Sequence, residues 1–194
     1  MRGMGLALAA LLVVSLHPTG ARADDAGGAQ PASQRLDLRG GRARLDFLKG
    51  PWRTERFTLS GGAWRAAGGG DLKFDELLNG LFLETTVTAE PFTYRIVFSF
   101  DTAQQAYRIV SLDDQSGLAD VYEGKFDDSG SLVVTNVGSG THYVFNGKPH
   151  HNRMRFAPDA EGWTWVVDAS ADDGATWRPQ LRVVARRPAA GAAR

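Results

Sequence analysis

The residues Tyr94–Leu112, YRIVFSFDTAQQAYRIVSL, combine two alternating apolar runs with a polar break between them. The first run places a large apolar side chain at every second position, at Tyr94, Ile96, Phe98 and Phe100. A two-residue period puts successive side chains on opposite faces, so it predicts a β-strand with one buried face. Asp101–Gln105 then predicts a turn, and Tyr107–Leu112 predicts the returning strand.

Similar short apolar runs follow one another along most of the chain. They lie at Leu81–Ala89, Leu118–Phe126, Ser131–Val137, Thr141–Asn146, Asn152–Ala157, Gly162–Ala169 and Trp177–Arg186. The stretches between them, such as DDSG, GSG and ADDGAT, are rich in the residues of tight turns. Many short strands joined by tight turns, with almost no helix, predict an all-β antiparallel sandwich or barrel. Periodicity alone leaves both architectures open.

The residues before the first strand favour the barrel. Ala43–Lys49 can form one or two helical turns, which Gly50 would end. A closed barrel has an open end that apolar groups must cover, and a helical turn followed by Gly-x-Trp supplies such a plug. We expect Gly50 to let the backbone come close and the Trp52 indole to fill the opening. An arginine of the final strand could then lie over the indole face.

An ordered set of short stretches carries a family resemblance. LDFLKGPW, LNGLFLE, FSFDTAQQAYRIVSLDDQSG, EGKFDDSGSLVV and DDGATW together resemble the bacterial DUF1579 family, whose function is unknown. That family is similar to the calycin barrels, which include lipocalins, fatty-acid-binding proteins and nitrobindins. The resemblance extends from about Leu45 to Val184. It implies a calycin-like antiparallel β-barrel of about 8–10 strands with a short N-terminal helical plug.

The same resemblance implies roles for particular residues. Gly50 and Trp52 would form the structural plug, and Arg182 or Arg186 would cover the indole. The nitrobindin-like branch would also require a haem-ligating histidine near the C-terminus. No histidine follows His151, and this departure from the nitrobindin-like pattern argues against haem. No cofactor is expected.

The N-terminal residues have the pattern of a secretory signal peptide. A basic residue precedes the apolar run Leu6–Leu16, and a small-residue triplet ends at Ala23, where cleavage is expected. The run is shorter than the roughly 20 residues that span a bilayer, so we expect an exported, soluble protein in the periplasm or outside the cell. The expected layout is a signal peptide at 1–23, a flexible leader at 24–41, a β-barrel domain at 42–187 and a disordered tail at 188–194.

The charge and the cysteine count exclude several classes of function. The chain has 22 basic and 22 acidic residues, and the predicted signal peptide carries two arginines and no acid. The mature chain therefore has 20 basic and 22 acidic residues, a net charge of −2. Such a balance gives no basic field for nucleic acid. The absence of cysteine means that packing alone holds the fold and that no lipid anchor is attached through a thiol.

No motif in the sequence selects a metal or catalytic site. His150 and His151 lie in GKPHHN, which predicts an exposed loop rather than a metal site. DASADDGATW lacks the glycine and the final acid of an EF-hand, and instead predicts a hairpin turn at Asp173-Gly174. Ser139 lies near His142, but Gly-Ser-Gly is typical of a turn, so no catalytic residue is assigned.

The barrel interior is therefore the expected binding site. A lumen of this size can hold one small ligand, lined by apolar groups with a few polar ones. Aromatic residues would line it and arginines would meet an anionic head group, which gives the set Tyr94, Arg95, Phe98, Tyr107, Tyr122, Arg153, Arg155 and Trp165. We expect a DUF1579-like protein that binds a small apolar or amphipathic ligand without catalysis. The alternatives are a barrel isomerase or hydrolase with an acid–base group in the lumen, and a protein-interaction module with a filled barrel.

Overall fold

The structure is a computed structural model that describes residues 35–89 and 91–189. The predicted signal peptide, the first part of the predicted leader and residues 190–194 of the predicted tail lie outside the described residues. Within the part that is described, no helix is both long enough and apolar enough to cross a membrane.

The described residues form eleven strands and a short helical segment. The strands are β1 Gly50–Ser60, β2 Ala63–Leu77, β3 Phe82–Ala89, β4 Phe92–Asp101, β5 Ala106–Asp113, β6 Ala119–Phe126, β7 Leu132–Thr135, β8 Tyr143–Phe145, β9 Lys148–Pro158, β10 Gly162–Ser170 and β11 Arg178–Arg186. The helix α1 spans Leu38–Ala43, and a 3₁₀ turn follows at Asp46–Leu48.

The sheet closes on itself. Each strand from β1 to β7 pairs antiparallel with the next, β7 pairs with β9, and the order continues through β10 and β11 back to β1. These ten strands form a closed antiparallel barrel, while β8 pairs with β9 beside the ring. The predicted all-β barrel of about 8–10 strands with a small helix is therefore confirmed, and the sandwich is excluded.

The alternation in Tyr94–Leu112 has the predicted effect. Phe98 of β4 lies opposite Ile109 of β5, and both side chains are almost fully buried in the barrel. Val97 lies on the other face of β4 and is only partly buried. The two-residue period thus assigns one set of side chains to the interior and the other to the outer face.

The histidine-containing segment differs from its predicted structure. GKPHHN is not an exposed loop, because β9 begins at Lys148 and His151 is 3% exposed. The turn lies earlier, at Asn146 and Gly147, which both have positive φ. The predicted turn at Asp173-Gly174 is confirmed, since both residues have positive φ between β10 and β11.

The helical segment begins earlier than predicted and covers one end of the barrel. Asp37 caps α1 by accepting a hydrogen bond from the Gly40 N–H, so the helix starts within the stretch assigned to the flexible leader. Gly41 is buried against Phe100, where a Cβ atom would overlap the ring. The Tyr107 hydroxyl donates to the Gly41 carbonyl at 3.0 Å. The ordered domain therefore extends N-terminal to the predicted boundary at Arg42.

Trp52 completes this cover, which together with α1 and the 3₁₀ turn is called the plug. Its indole is 3% exposed, donates through Nε1 to the Leu48 carbonyl at 2.7 Å, and meets Trp163 edge to face. Gly50 adopts a φ of 93°, a conformation that favours glycine. The barrel end that the plug covers is called the plug end, and the opposite end is the open end.

The arginine over the Trp52 indole is Arg187, not Arg182 or Arg186. Its guanidinium carbon lies 3.7 Å from the ring centroid, and it donates to the Lys49 carbonyl at 2.9 Å. Arg182 lies over Phe57 instead, and Arg186 forms ion pairs with Asp159 and Glu161 in the connection between β9 and β10. The reason is strand alternation, because these two arginines flank inward positions of β11, whereas Arg187 follows the end of the strand and can fold across the barrel end.

Candidate ligand cavity

The barrel interior is filled from the plug end to about its middle. An unbroken series of aromatic contacts, with ring centroids 5.3–5.8 Å apart, runs through Trp52, Trp163, Phe74, Phe98, Phe156 and Trp165. Aromatic rings at such separations pack as densely as other protein cores. No space for a ligand is therefore expected in this half of the barrel.

The open end contains a cavity of about 500 Å³, called the cavity below. Its wall comes from the first residues of β4, β6 and β11 and the last residues of β5 and β10, which antiparallel pairing brings to the same end. Its aromatic residues are Phe92, Tyr94, Tyr122 and Tyr143, and its aliphatic ones are Leu118, Val167 and Leu181. Its polar residues are Ser111, Asp113, Gln115, Ser116, Asp120, Asn152 and Gln180.

A buried carboxylate lies at the wall of the cavity. Asp120 is 5% exposed and accepts hydrogen bonds from the Tyr122 hydroxyl at 2.6 Å and from Asn136 Nδ2 at 2.9 and 3.0 Å. The Thr141 hydroxyl donates to the same carboxylate at 3.1 Å. Asn136 is itself fixed, because its Oδ1 accepts from the Asn152 N–H at 2.8 Å. Neutral donors thus replace the water that the buried charge loses.

The phenols around the cavity are held in their neutral form. Burial raises the pKa of Tyr122, and the neighbouring Asp120 raises it further. Burial also raises the pKa of Tyr94, with a second contribution from Asp113. The pKa of Tyr143 is raised by burial and then by Asp120. The charges of the two aspartates therefore act on the phenols that line the cavity.

A second carboxylate of the cavity wall lies closer to the outer opening of the cavity, which is called the mouth. Asp113 accepts from the Ser116 hydroxyl and N–H, both at 2.6 Å, and from the Gln115 N–H at 3.0 Å. The Ser116 hydroxyl is the largest cause of a pKa below the usual value for Asp113. The same bonds fold the connection from β5 to β6, so this carboxylate is both fixed in position and ionised at neutral pH.

The aromatic residues of the predicted site divide between two regions. Tyr94 and Tyr122 line the cavity. Phe98 and Tyr107 are almost fully buried in the packed half, and Tyr107 donates to α1 through its hydroxyl. Trp165 lies on the plug-end side of the cavity and stacks on Phe156. Sequence periodicity identified inward positions but could not say how far along the barrel the packing extends.

The predicted arginines lie on the outer face. Arg95 pairs with Glu84 at 2.6 Å, Arg153 pairs with Asp168 at 2.7 Å and Arg155 is exposed. Each occupies an odd position of β4 or β9, and the even positions face inward. These arginines therefore do not point into the barrel, and the expectation that they contact an anionic head group there is wrong.

Several residues of the cavity wall were not predicted. Asp120 lies two residues before Tyr122 on the same face of β6, so the alternation contains the signal that would have placed it inside. Asn136 continues the inward register of Leu132 and Val134 on β7, so the alternation in the predicted strand Ser131–Val137 also contains the signal for its position. Its hydrogen bonds with Asp120 and Asn152 join different strands, and no local pattern reveals them. A charged residue in the inward register of a predicted strand is the feature to look for.

The histidines form a small cluster beside the cavity. The rings of His142 and His151 lie 4.5 Å apart, and His151 Nε2 lies 3.1 Å from Asp173 Oδ1. In residues 35–89 and 91–189, no three His, Cys, Asp or Glu side chains are grouped so as to hold a metal ion. The cluster links β9 to the β10–β11 connection.

Comparisons with known proteins do not assign the chain to a family. No protein-family model matches the sequence, and no curated protein matches it. Membership of the DUF1579 family therefore stays a prediction from the short stretches quoted above.

Proposed function

We propose that this protein binds one small apolar or amphipathic molecule in the cavity and does not transform it. The observation that carries the proposal is the contrast within one barrel between a packed half and a half that holds a cavity of about 500 Å³. Ligand cavities in proteins typically measure about 300–1,000 Å³ and are mostly apolar with a few placed polar groups.

The wall of the cavity has two kinds of surface, which suits an amphipathic molecule. Val167 and Leu181 from the neighbouring strands β10 and β11 supply an aliphatic side. Asn152 and Gln180 supply amide groups that can donate or accept hydrogen bonds. A ligand with an apolar body and a polar group could bury the first against the aliphatic side and bond the second.

The enzyme alternative would use the Asp120–Tyr122 pair as its acid–base group. The raised pKa of Tyr122 favours binding instead, because a phenol that keeps its proton well above neutral pH is a poor proton donor to substrate. Its hydrogen is also already directed at Asp120, at 2.6 Å. Asp120 in turn accepts from Asn136 and Thr141, so its lone pairs are occupied.

The interaction-module alternative requires a filled lumen, and the cavity argues against it. Phe92 and Tyr143, which are each 40% exposed, lie at the cavity wall rather than on a separate surface. We propose further that the protein is exported and belongs to the DUF1579 family. The signal-peptide pattern and the resemblance support these two statements.

The binding proposal is tested with N-phenyl-1-naphthylamine, a neutral apolar dye that fluoresces when water is excluded from it. Val167→Trp adds bulk inside the cavity, and Val166→Trp is the matched control because alternation directs that side chain to the outer face. We expect saturable, one-site fluorescence with the wild type and the control, and loss of the signal with Val167→Trp.

Equal dye binding by all three proteins would contradict the proposal, because it would place the dye on the surface. Native and denatured masses of the protein purified from a periplasm give a second measurement. A mass that is lost on denaturation would identify a bound molecule.

A further inference from the structure

The charges that line the cavity have one sign. Asp113 and Asp120 contribute carboxylates, whereas no lysine, arginine or histidine is among the described residues that line it. A site built for an anion would need the opposite arrangement, with donors or cations facing the ligand. The wall thus disfavours carboxylates, sulfates and phosphates.

The two carboxylates also differ from those on the outer face. Glu84, Glu123 and Asp168 each pair with an arginine at 2.6–2.9 Å. Within the described residues, no such ion pair includes Asp113 or Asp120, whose partners are neutral hydroxyl and amide groups. Two carboxylates are therefore left without a protein counterion beside one cavity.

Aromatic side chains complete the wall. Phe92 and Tyr94 are stacked with ring centroids 6.1 Å apart, and Tyr122 and Tyr143 also line the cavity. The face of an aromatic ring attracts a cation, and the attraction grows where water is excluded. Aromatic rings combined with carboxylates are the usual recognition chemistry for an organic ammonium group.

We infer that the cavity is specific for an organic ammonium ion, with the apolar body of the ligand against Val167 and Leu181 and its cationic group near Asp113, Asp120 and the aromatic rings. This inference rests on the proposed binding function and adds the chemical class of the ligand. The raised pKa of Tyr94, Tyr122 and Tyr143, caused first by burial and then partly by these aspartates, is consistent with a negative potential in the cavity.

The test compares three probes that share an eight-carbon chain and differ in the charge of the head group: octylammonium, 1-octanol and octanoate. Each displaces N-phenyl-1-naphthylamine from the full-length wild-type protein at neutral pH. We expect octylammonium to bind at least about tenfold more tightly than octanoate, a difference of about 1.4 kcal/mol, with 1-octanol between them. Added salt should weaken octylammonium binding more than 1-octanol binding.

Removing one carboxylate should affect the cationic probe most. Asp113→Asn and Asp120→Asn are each expected to weaken octylammonium binding about tenfold and to change 1-octanol binding much less. Asp128→Asn is the matched control, since Asp128 lies in the turn between β6 and β7 at the plug end. Asp120 is buried, so its variant is first checked by circular dichroism. Asp113 is only partly buried, and its variant keeps the test decisive if the other unfolds.

The outcomes separate the inference from the proposed function. Octanoate binding as tightly as octylammonium, while the dye and 1-octanol still bind, would overturn the inference and leave the binding function intact. An unchanged octylammonium affinity in folded Asp113→Asn and Asp120→Asn would overturn it as well. If the wild type binds neither the dye nor any of the three probes, both the inference and the proposed binding function are overturned.

Discussion

The two ends of this barrel are built from the same strands, but apolar side chains fill one end and polar side chains line a cavity at the other. At the plug end, Leu45, Leu48 and Trp163 are fully buried, and Trp52 is nearly so. At the open end, two carboxylates, amides and phenols surround a cavity. Along a single strand, the inward side chains change from apolar at the plug end to polar at the open end. The row on β5 reads Tyr107, Ile109, Ser111 and Asp113 from the plug end to the mouth.

This contrast shows how one sheet can enclose a packed core at one end and a cavity at the other. Apolar side chains stabilise the fold where they are packed against each other, at about 25 cal/mol for each Å² removed from water. The polar inward positions add little to that term, and they interrupt the packing where a ligand could enter. We therefore expect substitutions at the plug end to change the free energy of unfolding most, and substitutions at the open end to change binding most.

The largest expected effect is at Trp52. Trp52→Ala removes the indole from the plug and leaves the Leu48 carbonyl without its donor, so it should lower the free energy of unfolding by about 3–5 kcal/mol. Urea denaturation followed by circular dichroism measures the change. Trp64→Ala, at a half-buried position of β2, is the control and should cost clearly less. Equal costs at the two positions would contradict the plug assignment.

The second prediction concerns the contact between α1 and the barrel. Gly41→Ala places a methyl group where the Phe100 ring lies, so we expect a loss of about 1–3 kcal/mol from overpacking. Gly70→Ala, where the added group would have no neighbour within 4 Å, is the control. Thermal melting of the two variants is the measurement. A melting temperature for Gly41→Ala equal to that of the control would mean that α1 does not pack tightly on the barrel.

A smaller effect on stability is expected at Asp120, at the open end. Asp120→Asn keeps the shape of the side chain but places an amide donor against the donors of Tyr122, Asn136 and Thr141, at a cost of about 1–2 kcal/mol. Urea denaturation compares it with Asp128→Asn, which should be close to neutral. A loss as large as that of Trp52→Ala would remove the distinction between the two ends.

The last effect, which is absent at neutral pH, is a change of stability with pH above the ordinary pKa of tyrosine. All four tyrosines have a pKa raised above 10.0 in the folded protein, mainly through burial. The unfolded chain therefore loses these protons first, so the contribution of the tyrosines to stability is fully present well below pH 10 and is lost as the pH rises towards the folded values. Absorbance at about 295 nm should titrate at higher pH in the native protein than in guanidinium.

Tyr122→Phe sharpens this measurement. It should remove the component of the native titration that appears at the highest pH, because Tyr122 is the most strongly shifted of the four. Tyr107→Phe is the matched control from the plug end, where burial raises the pKa without an acidic neighbour that raises it further. Coincident native and denatured titrations would show that the phenols are not buried.

Local pattern was enough for the fold and only partly enough for the site. The alternation around Phe98 predicted strands, and the Gly-x-Trp entry predicted that Trp52 would be buried, because both features act through neighbouring residues. The position of Arg187 depends on the end of β11 meeting the start of β1, a contact between distant parts of the chain. The hydrogen bond from Asn136 to Asp120 likewise joins two strands, although the alternation of β7 alone places Asn136 on the inward face.

The predicted arginines show a different limit. Arg95 and Arg153 were assigned to the interior by their chemistry, although their positions in the alternation place them outside. The period was readable around Phe98 and Met154, and a strict reading would have excluded both arginines. The register of a strand thus predicts which side chains face the interior better than the chemical type of the residue does.

The pairing of β1 with β11 has a consequence for how the chain folds. The hydrogen bond from Arg187 to the Lys49 carbonyl connects residues 138 positions apart, and the adjoining strands pair from Arg53 opposite Arg186 onwards. Such long-range contacts make folding slow, on the order of milliseconds to seconds for β-rich domains. A growing chain cannot close the ring until Arg178–Arg186 has been synthesised. Until then β1 and β10 both present unpaired edges, and these are the edges through which unfinished chains would associate.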